Sequence, residues 1–272
     1  IFVGGLNKSD HQDSESTDRL QITLPYDQED VILALAEVAK NLVVVNISGS
    51  PVAMPWADSA DAIVQGWYGG TESGNALADV LTGKVNPSGR LPFSIPFKYE
   101  DGPIKTEAQY PGIKAEDDEF WQTHYSEGVY VGYRWYATQE IPVQFPFGHG
   151  LSYTAFEYSN AKAAKSSMTA AGTLKVSVEV ANTGSVDGAE VVQLYIADPE
   201  ASVDRPAKEL KGFEKVFLKA GEKKTVTFEI DAEDLSYFDA EKHEWVAEPG
   251  EFQALLGSSS EDIKAMVSFQ LK

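Results

Sequence analysis

The hydrophobic period changes partway along the chain, and that change restricts the fold more than any single residue does. After about Leu151 apolar and polar residues alternate in short segments, "LKVSVEVAN", "AEVVQLYIAD", "KTVTFEID", "EFQALLG" and "KAMVSFQLK", separated by turn signals such as "NTGSVDG", "KAGEK" and "AEPGE". Short period-two strands at regular spacing, with no helix between them, predict a β-sandwich. From Ile1 to about Pro96 the pattern is different. The apolar runs "IFVGG", "LVVVNIS" and "AIVQGWY" are interleaved with the helix-length segments "DQEDVILALAEVAKN" and "SGNALADVLTG". Buried strands separated by helices predict an α/β layer with a mostly parallel sheet. The first helix is expected to start on acidic residues and to finish at Lys40 and Asn41, as the helix dipole favours. Between these regions lies a long acidic, aromatic-rich connection, which includes "KYEDGPIKTEAQYPGIKAEDDEFWQTHYSEG" and a strand-like "VYVGYRWYA". A connection of that length is uncommon inside a compact domain and is expected to wrap over the surface. The division is therefore residues 1–96, α/β; 97–150, connection; 151–272, all-β.

Length and charge agree with this division and narrow the partners. At 272 residues the chain exceeds the usual single domain of roughly 100–200 residues. The formal charge of −20 opposes phosphate backbones and anionic lipid, so neither nucleic acid nor membrane is an expected partner. A neutral sugar meets no such objection. No apolar run approaches the ~20 residues that cross a bilayer. The absence of cysteine removes disulfides, thiolate metal sites and a cysteine nucleophile, but leaves the compartment open. Because "IFVGG" reads as a buried strand with nothing before it, the chain is expected to be the C-terminal part of a longer protein.

Most motifs carry little chemistry. "GWYGGTESGNALADVL" joins a strand to a helix but lacks the lysine of a phosphate-binding P-loop, does not match G-x-G-x-x-G, and misses the G-x-S-x-G elbow by one position. It is expected to be a tight turn with Thr71 or Ser73 capping the helix, bordering a sugar site at most. "SDHQD" sets His11 beside Asp10 and Asp13, a weak resemblance to a cation site for which a solvated loop is the simpler reading. His149, in "FPFGHGLSY", is expected in a packed turn between domains. Of two glycosylation sequons, Asn7-Lys8-Ser9 and Asn46-Ile47-Ser48, the second sits at the end of a predicted buried strand and is not expected to carry a glycan.

"DSESTDRLQITLP" is different in kind. It places Glu15 on a loop outside an α/β sheet, where such folds hold ligands, and a protonated glutamic acid can serve a departing glycosidic oxygen. Taken alone, Glu15 is one acidic residue among many.

Several stretches together alter its standing. "SESTDRLQITLP", "GWYGGTESGNALADVLTGKVNPSGRLPFSIP", "SEGVYVGYRWYA", "FPFGHGLSYTAFEYS", "DRPAKELKGFEKVFLKAGE" and "WVAEPGEFQALLGSSS" resemble the C-terminal half of glycoside hydrolase family 3, of the bacterial periplasmic β-glucosidase type. The resemblance spans essentially the whole chain. It implies a three-layer α/β sandwich domain followed by a fibronectin type III-like domain. It also implies an N-terminal (β/α)8 barrel bearing the nucleophilic aspartate in a Ser-Asp-Trp-type motif, which this chain lacks. The family's acid/base glutamate lies on a loop just before a D-x-T-x-P-like strand, and Glu15 matches it. Arg19 falls where the family is often basic and is expected to fix the loop. Many members have glycine and an aromatic residue directly after the glutamate; here Ser16 and Thr17 follow.

The implied activity is exo-acting, retaining hydrolysis of terminal β-D-glucose from oligosaccharides or aryl glucosides. Glu15 is the acid/base residue, and no organic cofactor and no metal are implied. Such hydrolysis needs two carboxyl groups roughly 5 Å apart across the scissile bond, one attacking the anomeric carbon and one exchanging protons with the leaving oxygen and then water. With one group on the barrel and one here, the chain alone is expected to be catalytically incomplete. The implied partners are the β-glucoside or oligosaccharide substrate and the barrel portion of the same protein, with a homodimer left open. A periplasmic or secreted location is favoured over a cytoplasmic one. The alternatives are a β-xylosidase or other β-glycosidase of the family, a noncatalytic carbohydrate-binding module built on the aromatics of "EFWQTHYSEGVYVGYRWY", and a scaffold that only stabilises the barrel.

Overall fold

The computed structural model describes residues 1–114 and 120–272 and divides into two compact units. The first comprises Ile1–Val85, Ser94–Gly102 and Pro142–Phe145, and the second comprises Asn86–Phe93, Pro103–Ile141 and Pro146–Lys272.

In the first unit the chain runs β1 (Phe2–Gly5), α1 (Gln28–Val38), β2 (Val43–Ile47), β3 (Ala62–Gln65) and α2 (Ser73–Leu81). The strands form a parallel sheet in the order β1-β2-β3, with Val3 paired to Val45 and Val44 to Ile63. Valines on β2 are the reason for its central place: Val44 and Val45 are buried along with Ile32 of α1, Val52, Met54 and Trp56. β1, expected to be buried, is a sheet edge among the described residues, and Val3 is 58% exposed. Its free side is met by a side chain. Gln28 accepts from the Gly5 N–H at 2.8 Å and donates to the Gly5 carbonyl at 2.9 Å, as a neighbouring strand would.

Two later segments return to this unit. Ile95 bridges Phe145 in antiparallel fashion, and the Gln144 side chain grips Met54 by accepting from its N–H at 2.9 Å and donating to its carbonyl at 2.5 Å. Two local expectations fail here. "QITLP" forms no strand, although the Ile22 carbonyl still accepts from the Ala53 N–H at 3.0 Å. α1 stops at Val38 because Ala39 is extended, so Lys40 and Asn41 lie beyond it. Asn46 is buried and donates to Ser48 and Gln65, which leaves its amide no room for a glycan.

The second unit begins with α3 (Tyr133–Thr138) and continues through β4 (Phe156–Ala163), β5 (Ser167–Met168), β6 (Leu174–Asn182), β7 (Gly188–Ala197), β8 (Glu209–Leu218) and β9 (Lys223–Ile230). It closes with α4 (Ala232–Leu235), β10 (Tyr237–Asp239), β11 (Glu244–Val246), β12 (Gly250–Gly257) and β13 (Ile263–Leu271). A five-stranded sheet, β5-β13-β12-β7-β8, faces a three-stranded sheet, β4-β6-β9, and β10-β11 is a separate hairpin. The alternation in "LKVSVEVAN" sends Leu174, Val176, Val178 and Val180 inward to meet Val192, Leu194, Ile196, Phe252 and Leu256, while Lys175 stays exposed. Burial of such side chains stabilises by about 1.5–3 kcal/mol each before entropy is charged against it.

The outer face of β7 is covered as well, because residues of the connection pack on it. Tyr133 stacks on Phe147 at 4.7 Å and meets Tyr195 edge-on at 5.8 Å. The stretch expected to be strand-like, "VYVGYRWYA", instead turns at Gly132 (φ 56°) into α3, with Tyr136 buried. The aromatics of the connection divide. Phe120, Trp121 and Tyr125 are exposed, whereas Tyr133 and Tyr136 serve packing. The acidic stretch Glu116–Glu119 of that connection lies outside the described residues.

The two motifs most distinctive of the resemblance, "NPSGRLPFS" and "PFGHGLSYT", also meet in this unit. Leu91 and the turn at 148–149 exchange backbone hydrogen bonds, Leu91 N–H to the His149 carbonyl at 2.9 Å and Gly148 N–H to the Leu91 carbonyl at 2.8 Å. Arg90 and Glu190 form a buried ion pair at 3.0 Å. Gly148 has φ 80°, and a Cβ there would fall 2.2 Å from the Gln193 amide oxygen, so the turn admits only glycine.

Candidate functional site

A parallel sheet delivers its loops to one end. Here the loops that follow β1, β2 and β3 all leave the carboxyl ends of the strands, the region in which open α/β sheets hold ligands. The loop after β1 carries Glu15 and is closed by its own side chains. Gln12, buried at its base, accepts from the Asn7 N–H at 3.1 Å and donates to the Tyr26 hydroxyl at 2.7 Å. The His11 N–H donates to the Thr17 hydroxyl at 3.0 Å, and Ser14 and Thr17 hydroxyls lie 2.6 Å apart. This is the use of the small hydroxyl residues that surround Glu15: they supply local hydrogen bonds that hold an irregular backbone in one shape.

Glu15 itself is exposed and, among the described residues, its carboxylate makes no hydrogen bond or ion pair. Asp13, two residues earlier, is fully engaged. It accepts from the Gly49 N–H at 2.6 Å, from the Tyr68 hydroxyl at 2.9 Å and from the Ser50 hydroxyl. Burial pushes the Asp13 carboxyl up, but Ser50, the Gly49 N–H, Tyr68 and the charge of Arg19 together outweigh it and hold the group below its ordinary value. For Tyr68, burial and its bond to Asp13 push the phenol up to about 12, so it stays a donor.

Arg19 is half-buried and donates to the Pro51 carbonyl at 2.6 Å, to the Ser50 hydroxyl at 3.1 Å and to the Thr23 carbonyl at 3.4 Å. Its contacts are those of a residue that fixes a loop. Ser16, immediately after Glu15, has φ 73°, a left-handed conformation that glycine adopts without steric cost. A serine holds this conformation at a greater steric cost than a glycine would.

The other sequence candidates do not gather into a site. His11 bonds the Asp18 carbonyl through Nδ1, and Asp13 is occupied as described, so "SDHQD" does not converge on a cation position. The turn before α2 is tight: a Cβ at Gly69 would lie 2.8 Å from the Ser73 hydroxyl. The expected cap is not there, because Glu72 occupies the cap position and no side chain bonds the helix N-terminus. Within the second unit, His149 is depressed by burial and by the Arg90 charge, partly offset by Asp262, and takes its place as a packed neutral ring. In sequence Asp13 stands out only within the cation-like "SDHQD" and Tyr68 only within the Gly-rich turn, and nothing joins them to Ser50, since 37 and 55 residues separate Asp13 from the other two.

Comparison with known proteins accounts for the whole chain. The model of the glycosyl hydrolase family 3 C-terminal domain matches residues 1–153, and that of the fibronectin type III-like domain matches residues 190–260. The chain is 50% identical to the β-glucosidase BoGH3A of Bacteroides ovatus over 272 residues, which is 99% of this chain and 36% of that protein. It is 48% identical to the thermostable β-glucosidase B of Acetivibrio thermocellus, covering 97% of this chain and 33% of that protein. Among solved structures it matches the β-glucosidase of Kluyveromyces marxianus (TM-score 0.89, 42% identity, 99% of this chain and 31% of that one). A family 3 β-glucosidase of Bifidobacterium adolescentis matches with TM-score 0.90 and 41% identity, covering 99% of this chain and 38% of that one. The chain thus spans about a third of the length of the curated relatives it matches. With the α/β unit, the β-sandwich and both family matches in place, the chain belongs to glycosyl hydrolase family 3, as its C-terminal domain followed by a fibronectin type III-like domain.

Proposed function

We propose that the chain is the C-terminal part of an exo-acting, retaining β-glucosidase that hydrolyses terminal non-reducing β-D-glucosyl residues, and that Glu15 is its acid/base. The observation that carries this reading is the 50% identity, over 99% of the chain, to a protein named as a β-glucosidase. The geometry adds support. Asp13 and Glu15, two positions apart on the loop after β1, differ in the way this reading needs: Asp13 is held by three donors, and the exposed Glu15 carboxylate has no bond among the described residues.

In this reading an aspartate on an upstream (β/α)8 barrel attacks the anomeric carbon while Glu15 gives its proton to the departing glycosidic oxygen. Glu15 then takes a proton from the water that releases the sugar. The active site is completed only when barrel and chain are together, and division of the two carboxylates between them accounts for a loop that is built but unpartnered.

The test is hydrolysis of an aryl β-glucoside by the 272-residue chain alone, checked by intact mass, beside the barrel-containing polypeptide and its Glu15→Gln variant. Background rates are expected for the chain alone. For the variant, kcat/KM on a substrate with a poor leaving group should fall roughly 10²–10⁴-fold, the contribution of a positioned general acid. Clear turnover by the chain alone, or an unchanged Glu15→Gln enzyme, would overturn the assignment.

A further inference from the structure

We propose that Asp13 is the positioning residue for Glu15, tying the loop that carries it to the two neighbouring loops at the carboxyl end of the sheet. The inference rests on the reading of Glu15 as the acid/base.

One carboxylate takes hydrogen bonds from both neighbouring loops. The Gly49 N–H and Ser50 hydroxyl belong to the loop after β2, and the Tyr68 hydroxyl belongs to the loop after β3. The Asp13 N–H in turn donates to the Asn7 carbonyl at 3.1 Å, so the residue is held on its backbone side as well. A carboxylate offers about four acceptor positions, and no neutral side chain of this length could receive the same three donors at once.

Glu15 is bracketed. Asp13, two positions before it, and Arg19, four positions after it, are both fastened to the Ser50 hydroxyl, one accepting from it and the other donating to it. The span between the fasteners is tightened by the Ser14–Thr17 hydroxyl contact at 2.6 Å. Within this bracket Glu15 is exposed and, among the described residues, its carboxylate has no bond of its own; the exposed Asp18 carboxylate shares that state but sits directly beside Arg19. Close approach of the anchoring loop fits the same purpose. A Cβ on Gly49 would lie 3.2 Å from the Tyr68 ring, a tight contact, and 3.5 Å from the Asp13 carboxylate, an ordinary one, so a glycine here keeps the Tyr68 ring unpressed.

A general acid displaced by about 1 Å can lose roughly 10²-fold in rate. The test uses the barrel-containing polypeptide with Asp13→Ala, Asp13→Asn and Tyr68→Phe, each assayed on cellobiose and on 2,4-dinitrophenyl β-glucoside. The activated aglycone departs without protonation, so it separates a misplaced acid from a damaged site. Asp13→Ala should lower kcat on cellobiose by about 10²-fold with little change in KM, and leave formation of the glucosyl-enzyme from the dinitrophenyl substrate within severalfold of wild type. Asp13→Asn should recover most of the loss, because its amide oxygen can accept from Gly49 and Tyr68 while its NH2 donates to Ser50. Tyr68→Phe, which removes one donor only, should show the same substrate pattern at smaller size and guards against failure of the alanine variant to fold. Titration of active sites with a fluorosugar inactivator normalises every rate to folded enzyme.

Equal losses on both substrates after that normalisation, or no loss on either, would overturn the positioning role. Failure of the underlying reading looks different: Glu15→Gln itself would then show no dependence on the leaving group, whatever Asp13 does.

Discussion

Glu190 and Asp13 are both carboxylates that collect donors from distant parts of the chain, and they do so in opposite surroundings. Glu190, on β7 of the β-sandwich unit, is 4% exposed and meets a full countercharge, Arg90, at 3.0 Å, together with the Tyr158 hydroxyl at 3.3 Å and the Val191 N–H at 3.0 Å. Asp13, in the α/β unit, is partly exposed, and its direct partners are a backbone amide and two hydroxyls, with Arg19 reached through Ser50. A charge that is wholly removed from water needs an opposite charge beside it, or the desolvation cost is unanswered. A charge that keeps part of its hydration can be held by neutral donors alone. The first arrangement makes a permanent joint. The second shapes a loop that must still meet a substrate.

Truncation at the two carboxylates separates these cases. Glu190→Ala leaves Arg90 buried and unpaired and should cost about 3–5 kcal/mol in urea unfolding of the chain, the usual loss when one partner of a buried pair is removed. Asp13→Ala should cost distinctly less in the same experiment; if the two losses match, burial is not what distinguishes the two sites.

Ser16→Gly sharpens the comparison from the other side. It relieves a non-glycine residue at φ 73° and should raise stability by up to about 1 kcal/mol, read as a higher Tm, with the loop shape retained. A lower Tm would mean that the Ser16 side chain contributes more than its backbone strain removes.

The smallest effects are those of pH, and they fall in separate windows. His149 in the β-sandwich unit has its value lowered below 6.5, so the folded state binds its proton later than the unfolded state does. Its contribution is complete above pH 6.5 and is lost as pH falls through the depressed value. Asp13 is lowered below 3.8, so its contribution persists to more acid conditions and is lost only as pH falls through that lower value. Thermal unfolding against pH should show the His149 step vanish in His149→Gln while the acid step remains; a single step common to both proteins would contradict the separation.

The β-sandwich strands were largely legible in sequence because their period reports one buried face. "LKVSVEVAN" became β6 without change, and "KAMVSFQLK" differs from β13 by one residue at each end. β8 carried no such signal. Its residues from Phe213 to Lys215 are exposed and Gly212 interrupts it, as suits a strand at the sheet edge. "VYVGYRWYA" misled for the opposite reason: strong strand propensities were overridden by a left-handed glycine and by packing of Tyr133 and Tyr136. At the candidate site, Glu15 could be singled out only through the resemblance, because an exposed carboxylate in a polar loop has no periodicity to mark it. Asp13 could be picked out only within the cation-like "SDHQD", not as an anchor between loops. What makes it distinctive is the meeting of residues 13, 49, 50 and 68, and sequence spacing does not encode that meeting.

The shared attachment of three loops to one carboxylate has a consequence for engineering and inheritance. Because Asp13 receives Gly49, Ser50 and Tyr68, the segment bearing Glu15 is not a transplantable cassette. A graft of residues 6–27 into another scaffold carries the carboxylate but not its donors, and it would arrive with its hinge pins left behind. Exchange between relatives should succeed only when the three loops travel as one block.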